Sequence, residues 1–272
     1  VAMSTRAMEI ARRTRHPMAL AYAEQAVAIS YSQAGSFSQA RDHFLQMRED
    51  ARQAHSALLE ADAIGSVGST TTSLGDARAG EQLIRDALER YRALGAPYYV
   101  CFGLFSLANN LRQQGRHAQA LPLLLQALDG YVVHPNRIGR WYTLSALSQV
   151  HESLGHGQEA LSYAQQAYAQ AHDIDFPSYI AESARRLATF AAAQGDFRRA
   201  YSLSAEAGQM SAKTAADKSG ARIAELARHY ELESHRKELE ELTRRNELQS
   251  AELQRRALQQ RWLWTVMAAC TL

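Results

Sequence analysis

The chain has 272 residues, 46% of them hydrophobic and 21% charged, which supplies a core for one or two domains and excludes overall disorder. Lys and Arg number 30 against 28 Asp and Glu, a formal charge of +2, so bulk electrostatics point to no nucleic-acid partner. Cys101 and Cys270 lie far apart with no C-x-x-C spacing, which leaves neither a disulfide framework nor a zinc site to be read from them.

The opening stretch, VAMSTRAMEIARRTRHP, lacks the apolar run of a signal peptide and reads as a helix with a basic end, an internal start. Beyond it an internal repeat begins. Gly35, Gly75, Gly115, Gly155 and Gly195 fall at a fixed interval of 40 in a chain with only 15 glycines, the mark of a repeat architecture. Eight residues before each glycine stand Val27, Val67, Leu107, Leu147 and Leu187, and next to them Ala28, Gly68, Ala108, Ser148 and Ala188. Five residues after it stand Ala40, Gly80, Ala120, Ala160 and Ala200, and twelve after it Met47, Ala87, Ala127, Ala167 and Ala207. The pattern predicts two antiparallel helices per unit, glycine in the tight turn, and small residues where the helices cross closely. Pro17, Pro97 and Pro177 recur in the same register, where each opens a helix or ends the loop before it, and Pro135 marks a variant loop. No stretch alternates apolar and polar residues as a strand does. The expected fold is all-α. The second unit, IGSVGSTTTSLGDARAG, is rich in poor helix formers and is expected to be locally loose.

The composition changes near Asp217, a residue able to cap a helix. From there to Arg261 there is no proline and, after Gly220, no glycine. Glu233 and Lys237, Glu240 and Arg244, Glu241 and Arg245, and Glu252 and Arg256 place an acid four residues before a base, the favourable order on a helix. Leu232, Leu239, Asn246 and Leu253 fall at heptad spacing, while His235, Gln249 and Arg256 interrupt the alternate column. A pairing coiled coil and a solvated single helix both stay open. Trp262 to Leu272 carries no charge and covers about half of the roughly 20 residues a membrane crossing takes, with Arg261, Trp262 and Trp264 at the depth an interface prefers. It reads as the start of a membrane helix cut short, against a plain apolar tail.

The units AGSFSQA and QGDFRRA, with QGRHAQA and LGHGQEA as looser copies, resemble the tetratricopeptide repeat over about residues 18–215. The interval exceeds that family's usual one by about six residues, as in the long-helix variant of bacterial regulatory proteins. The resemblance implies a superhelical array of helix pairs over 1–216, a long charged helix over 217–261 and a truncated membrane segment over 262–272. That order is similar to the repeat-to-membrane junction of tetratricopeptide-containing diguanylate cyclases and sensor histidine kinases, in which an output domain follows. It implies a sensory module whose long helix forms a homodimer, anchored in the inner membrane with the repeats periplasmic. The arginines near the crossing favour a cytoplasmic repeat domain instead. A soluble scaffold or regulator is the alternative.

In tetratricopeptide repeats the concave surface is formed by positions 13, 10, 6 and 3 residues before the turn glycine. Carried onto this sequence these give Tyr22, Gln25 and Ile29; Phe102, Phe105, Asn109 and Arg112; Tyr142, Ser145, Gln149 and Glu152; and Glu182 and Arg185. Rings with interspersed amides and an arginine suit a protein or peptide ligand, although Phe102, Phe105 and Tyr142 also suit packing between repeats. No nucleophile–base pair, phosphate loop or metal-ligand cluster stands out: His151 and His156 are five apart and His229 and His235 six apart, not the four that aligns two ligands. The expectation is a non-catalytic chain without a cofactor.

Overall fold

The computed structural model describes residues 2–14 and 16–216, with side chains from residue 6 onward. The chain divides into two compact units, 1–214 and 215–272, and the fold described here is that of the first. The helix expected over 217–261 and the apolar run over 262–272 lie outside the described residues.

Among the described residues there are eleven helices and no strand. They are α1 (Ala2–Thr14), α2 (Pro17–Gln33), α3 (Phe37–Gln53), α4 (Ala57–Ser73), α5 (Ala77–Ala93), α6 (Pro97–Gln113), α7 (His117–Val133), α8 (Arg137–Ser153), α9 (Gly157–Ile174) and α10 (Pro177–Ala193). The eleventh, α11, is helical over 197–216. From α2 on, each helix starts 20 residues after the one before it, so the interval of 40 seen in the glycines is two equal halves.

Seven of the nine helix ends from α2 to α10 are closed by the same device. Gly35 adopts a φ of 77°, its N–H bonds the Ser32 carbonyl at 3.1 Å and the next N–H, of Ser36, bonds the Tyr31 carbonyl at 2.9 Å. This pair of bonds around a left-handed residue satisfies carbonyls that a helix end leaves open. The same two bonds recur after α3, α4, α5, α6, α8 and α10, and Asp175 at φ 56° closes α9. After α7 the register puts Pro135 in the left-handed place, and a ring that fixes φ near −65° cannot take it. There the chain leaves the helix through His134 at φ −118° and ψ 82°, and the Asn136 side chain caps α8 by accepting from the Gly139 N–H at 2.8 Å. Pro17, Pro97 and Pro177 occupy the first position of α2, α6 and α10, where the missing N–H costs nothing.

The small-residue columns lie where helices of one pair meet. Ala28, Ala40, Ala108, Ala120, Ala127 and Ala160 are fully buried. In the second unit both partners are glycine: a Cβ on Gly68 would stand 2.9 Å from the Gly80 carbonyl oxygen, and one on Gly80 only 2.1 Å from Thr72 Oγ1. This unit is therefore closely crossed rather than loose. Its hydroxyls are turned onto their own helix, Thr70 Oγ1 onto the Ser66 carbonyl and Thr72 Oγ1 onto that of Gly68, each at 2.9 Å. Asn110, buried on α6, donates to Thr72 Oγ1 at 2.7 Å and ties the second unit to the third.

Successive pairs stack. The first helices of neighbouring pairs touch directly, α2 with α4, α4 with α6 and α6 with α8, which places them on the inner, concave side and the second helices outside. Among the described residues no helix is long and apolar enough to cross a membrane.

Candidate functional site

The concave side holds a cavity of about 520 Å³ between α6, α8 and α10. Eight residues named from the repeat register line it together: Phe102, Phe105, Asn109 and Arg112 of α6, Tyr142, Ser145 and Gln149 of α8, and Glu182 of α10. They meet because each first helix turns the same face inward and the helices are offset by one repeat.

The wall is aromatic. Phe105 and Tyr142 stand 6.0 Å apart between ring centres and Tyr142 meets Tyr179 at 5.7 Å. Phe102 and Tyr142 keep 38% and 44% of their surface exposed, so they pack between repeats and present area to a ligand at once. Burial, with a hydrogen bond to Tyr179, raises the Tyr142 hydroxyl well above its usual range, so it stays a neutral donor and acceptor.

The floor is polar. Arg112 Nη1 donates to Gln149 Oε1 at 2.6 Å, while Nη2 and Nε donate to Asn109 Oδ1 at 2.7 and 3.2 Å. One amide from its own helix and one from the next thus fix the guanidinium. Glu182 closes the far side; the protein around it raises its carboxyl above the ordinary value, and Arg185 and Arg186 partly offset this.

The groove continues in both directions. Toward the C-terminus a depression of about 240 Å³ shares Gln149 and Glu182 with the cavity and adds Glu152 and Arg185, also named from the register, beside Arg186, Thr189 and Phe190. Toward the N-terminus another, of about 220 Å³, shares Phe102, Phe105 and Asn109 and runs over the hydroxyls of Ser69, Thr72, Ser73 and Ser106. Tyr22, Gln25 and Ile29 lie apart from all three on α2. Tyr22 and Ile29 are exposed, and the Gln25 amide is committed to Asp62 Oδ2 at 2.6 Å.

The register missed the cavity's rim. Tyr98 and Ile138 lie 17 residues before their turn glycines, one helical turn beyond the positions used. Asn136 donates to the Tyr98 hydroxyl at 2.9 Å, and Tyr131 reaches in from α7. Carrying the column one turn further back would have found Tyr98 and Ile138; Tyr131, on a second helix, belongs to no such column. His151 packs on Tyr163 with ring centres 5.2 Å apart and its Nδ1 3.3 Å from that of His156. Among the described residues no group of three or more His, Cys, Asp or Glu is arranged to hold a metal ion.

Residues 104–173, α6 to α9, match the tetratricopeptide repeat family model. No curated protein matches the sequence. Among solved structures, BtubC (BKLC) from P. vanneervenii superposes with a TM-score of 0.62 at 17% identity, over 78% of this chain and 90% of that one. A Rap protein complexed with Competence and Sporulation Factor gives 0.64 at 18%, over 72% of this chain and 55% of the other. A signal transduction ATPase with numerous domains and a tetratricopeptide repeat sensor, from Pyrococcus horikoshii, gives 0.57 at 16%, over 76% and 34%. At such identities the likeness is one of fold. With the matched segment, it makes the described residues an array of tetratricopeptide-like repeats.

Proposed function

We propose that this array is a non-catalytic module that binds a protein or peptide segment in its concave groove. The observation that carries the reading is the cavity itself: half-exposed rings on its wall, and amides and one arginine on its floor, suit a chain with alternating apolar and polar groups. A double variant, Phe102→Ala with Tyr142→Ala, tests it against peptides selected on the whole chain from a random displayed library. Affinity is expected to fall at least about tenfold, as loss of buried anchors costs, with helicity unchanged. Unaltered affinity would move the site off the groove.

The finer reading is that the module is the sensory end of a membrane-anchored bacterial signalling protein, its 217–261 helix pairing and an output domain following. Support comes from the order of repeats, charged helix and apolar run along the sequence, and from the tetratricopeptide repeat sensor named in the Pyrococcus horikoshii protein. Cysteine crosslinking in membranes is expected to give homodimer at Leu239 and Asn246 and little at Glu240. Equal crosslinking at all three leaves a single spacer helix. A reading frame that stops at residue 272 would favour the soluble scaffold instead.

A further inference from the structure

Arg112 lacks the carboxylate partner that Arg116 and Arg186 have, as does the exposed Arg185, whose Nη2 donates to Ser211 Oγ at 3.3 Å. Arg116 meets Glu81 at 2.6 Å and Arg186 meets Glu152 at 2.8 Å, whereas the Arg112 side chain bonds only the neutral amides of Asn109 and Gln149. No carboxylate of the described residues lies within 4.0 Å of it: the described ion pairs do not include it. Its surroundings oppose its charge, first by burial and then by the charge of Arg186, and both lower its pKa. A partly desolvated cation without a counter-ion is costly, and here it is held in one orientation facing a cavity. Of its five N–H groups three are used, which leaves one on each of Nη1 and Nη2 for a carboxylate.

The groove runs past Arg112 on both sides, toward α4 and toward α10. A ligand therefore passes through rather than ending there, and its charge comes from within the segment. We infer that the groove takes an extended peptide segment in which one Asp or Glu side chain seats on the Arg112 guanidinium, flanked by apolar side chains against Phe102, Phe105 and Tyr142. This rests on the groove reading above and adds to it the charge and the position of the recognised residue.

The test is a positional library of short peptides with acetylated N-termini and amidated C-termini, presented to the whole chain, so that no terminal carboxylate is available. The expected result is enrichment of Asp and Glu at one position between apolar neighbours, with binding that weakens as salt rises. Arg112→Gln should weaken the selected acidic peptide about ten- to a hundredfold, the range for truncating one member of a bonded charge pair, while binding its Gln or Asn analogue no worse than the parent does. Arg112→Lys should keep part of the preference. Melting curves of both variants are compared with the parent, and the within-variant ratio of acidic to amide peptide is independent of any loss of fold. Selected peptides with no acidic preference, or a preference unchanged in Arg112→Gln, would overturn the inference and leave the groove reading standing. Peptides whose affinity is indifferent to Phe102→Ala and Tyr142→Ala would overturn both.

Discussion

Asp62 is a carboxyl 5% exposed on α4, bonded by neutral partners only, Gln25 of α2 at 2.6 Å and the Tyr91 hydroxyl of α5 at 3.2 Å. Burial raises its pKa from 3.8 to about 6, with the two hydrogen bonds offsetting part of the cost. A raised carboxyl holds its proton more tightly in the folded chain. Its contribution is therefore present in full below the unfolded value of 3.8 and lost as pH rises through about 6, an effect of up to about 3 kcal/mol. Asp62→Asn keeps the shape and a bond to each neighbour without the charge, so it should melt several degrees higher than the parent at pH 7 and alike at pH 4. An equal difference at both pH values would show that the charge is not what matters. Asp62 stands 13 residues before Gly75, in the groove column of the second unit. Composition hid it, because a stretch so rich in glycine and hydroxyls reads as degenerate when only propensity is weighed.

Propensity and packing point opposite ways in α5. Gly80→Ala gains about 1 kcal/mol of helix propensity, but the new methyl meets Thr72 Oγ1 at 2.1 Å and the Gly68 carbonyl at 2.6 Å. Backbone cannot step aside without separating α4 from α5, and overpacking of this kind costs about 1–3 kcal/mol or more. The net expectation is a lower melting temperature, whereas Gly208→Ala on α11, with nothing within 4 Å, should keep or raise it. If both variants gained stability alike, the close crossing would be wrong. Ala160, fully buried and bonded through its carbonyl to Ser148 Oγ at 2.7 Å, should likewise lose about 1–3 kcal/mol as Leu, read from denaturant melts. Element boundaries were legible where chemistry is restrictive: glycine at alternate turns and proline at three helix starts. The half-interval of 20 was not, because its left-handed residues are His55, Gly95 and Asp175, types among which His and Asp tolerate that conformation without requiring it. The lining of the cavity was legible on α6, α8 and α10 for the same reason the fold was, since the repeat fixes which face turns inward; its rim comes from the first helical turn, a loop that breaks the repeat and Tyr131 of α7.

In an array each pair touches chiefly its neighbours, so order spreads along it rather than through one common core. Among the described residues the largest cluster of buried side chains runs from Ile84 to Val150, across α5 to α8. At the far end the pattern changes: the column occupied by Phe44, Ile84, Leu124 and Ala164, all buried, is taken by exposed Ser204 on α11, on the same face as exposed Phe197 and Tyr201. A ligand bound as proposed would span α4, α6, α8 and α10 and leave α1 to α3 aside. At a hundredfold excess over its Kd such a ligand adds about 2.7 kcal/mol to the states that bind it, enough to slow amide exchange through those openings by about a hundredfold. Hydrogen exchange on the whole chain with a bound selected peptide should therefore slow α4, α6, α8 and α10 and the helices paired with them, and leave α1 to α3 at their free rates. Equal slowing in α1 to α3 would mean that the array opens as one cooperative body, and slowing confined to the second helices would place the ligand on the convex side.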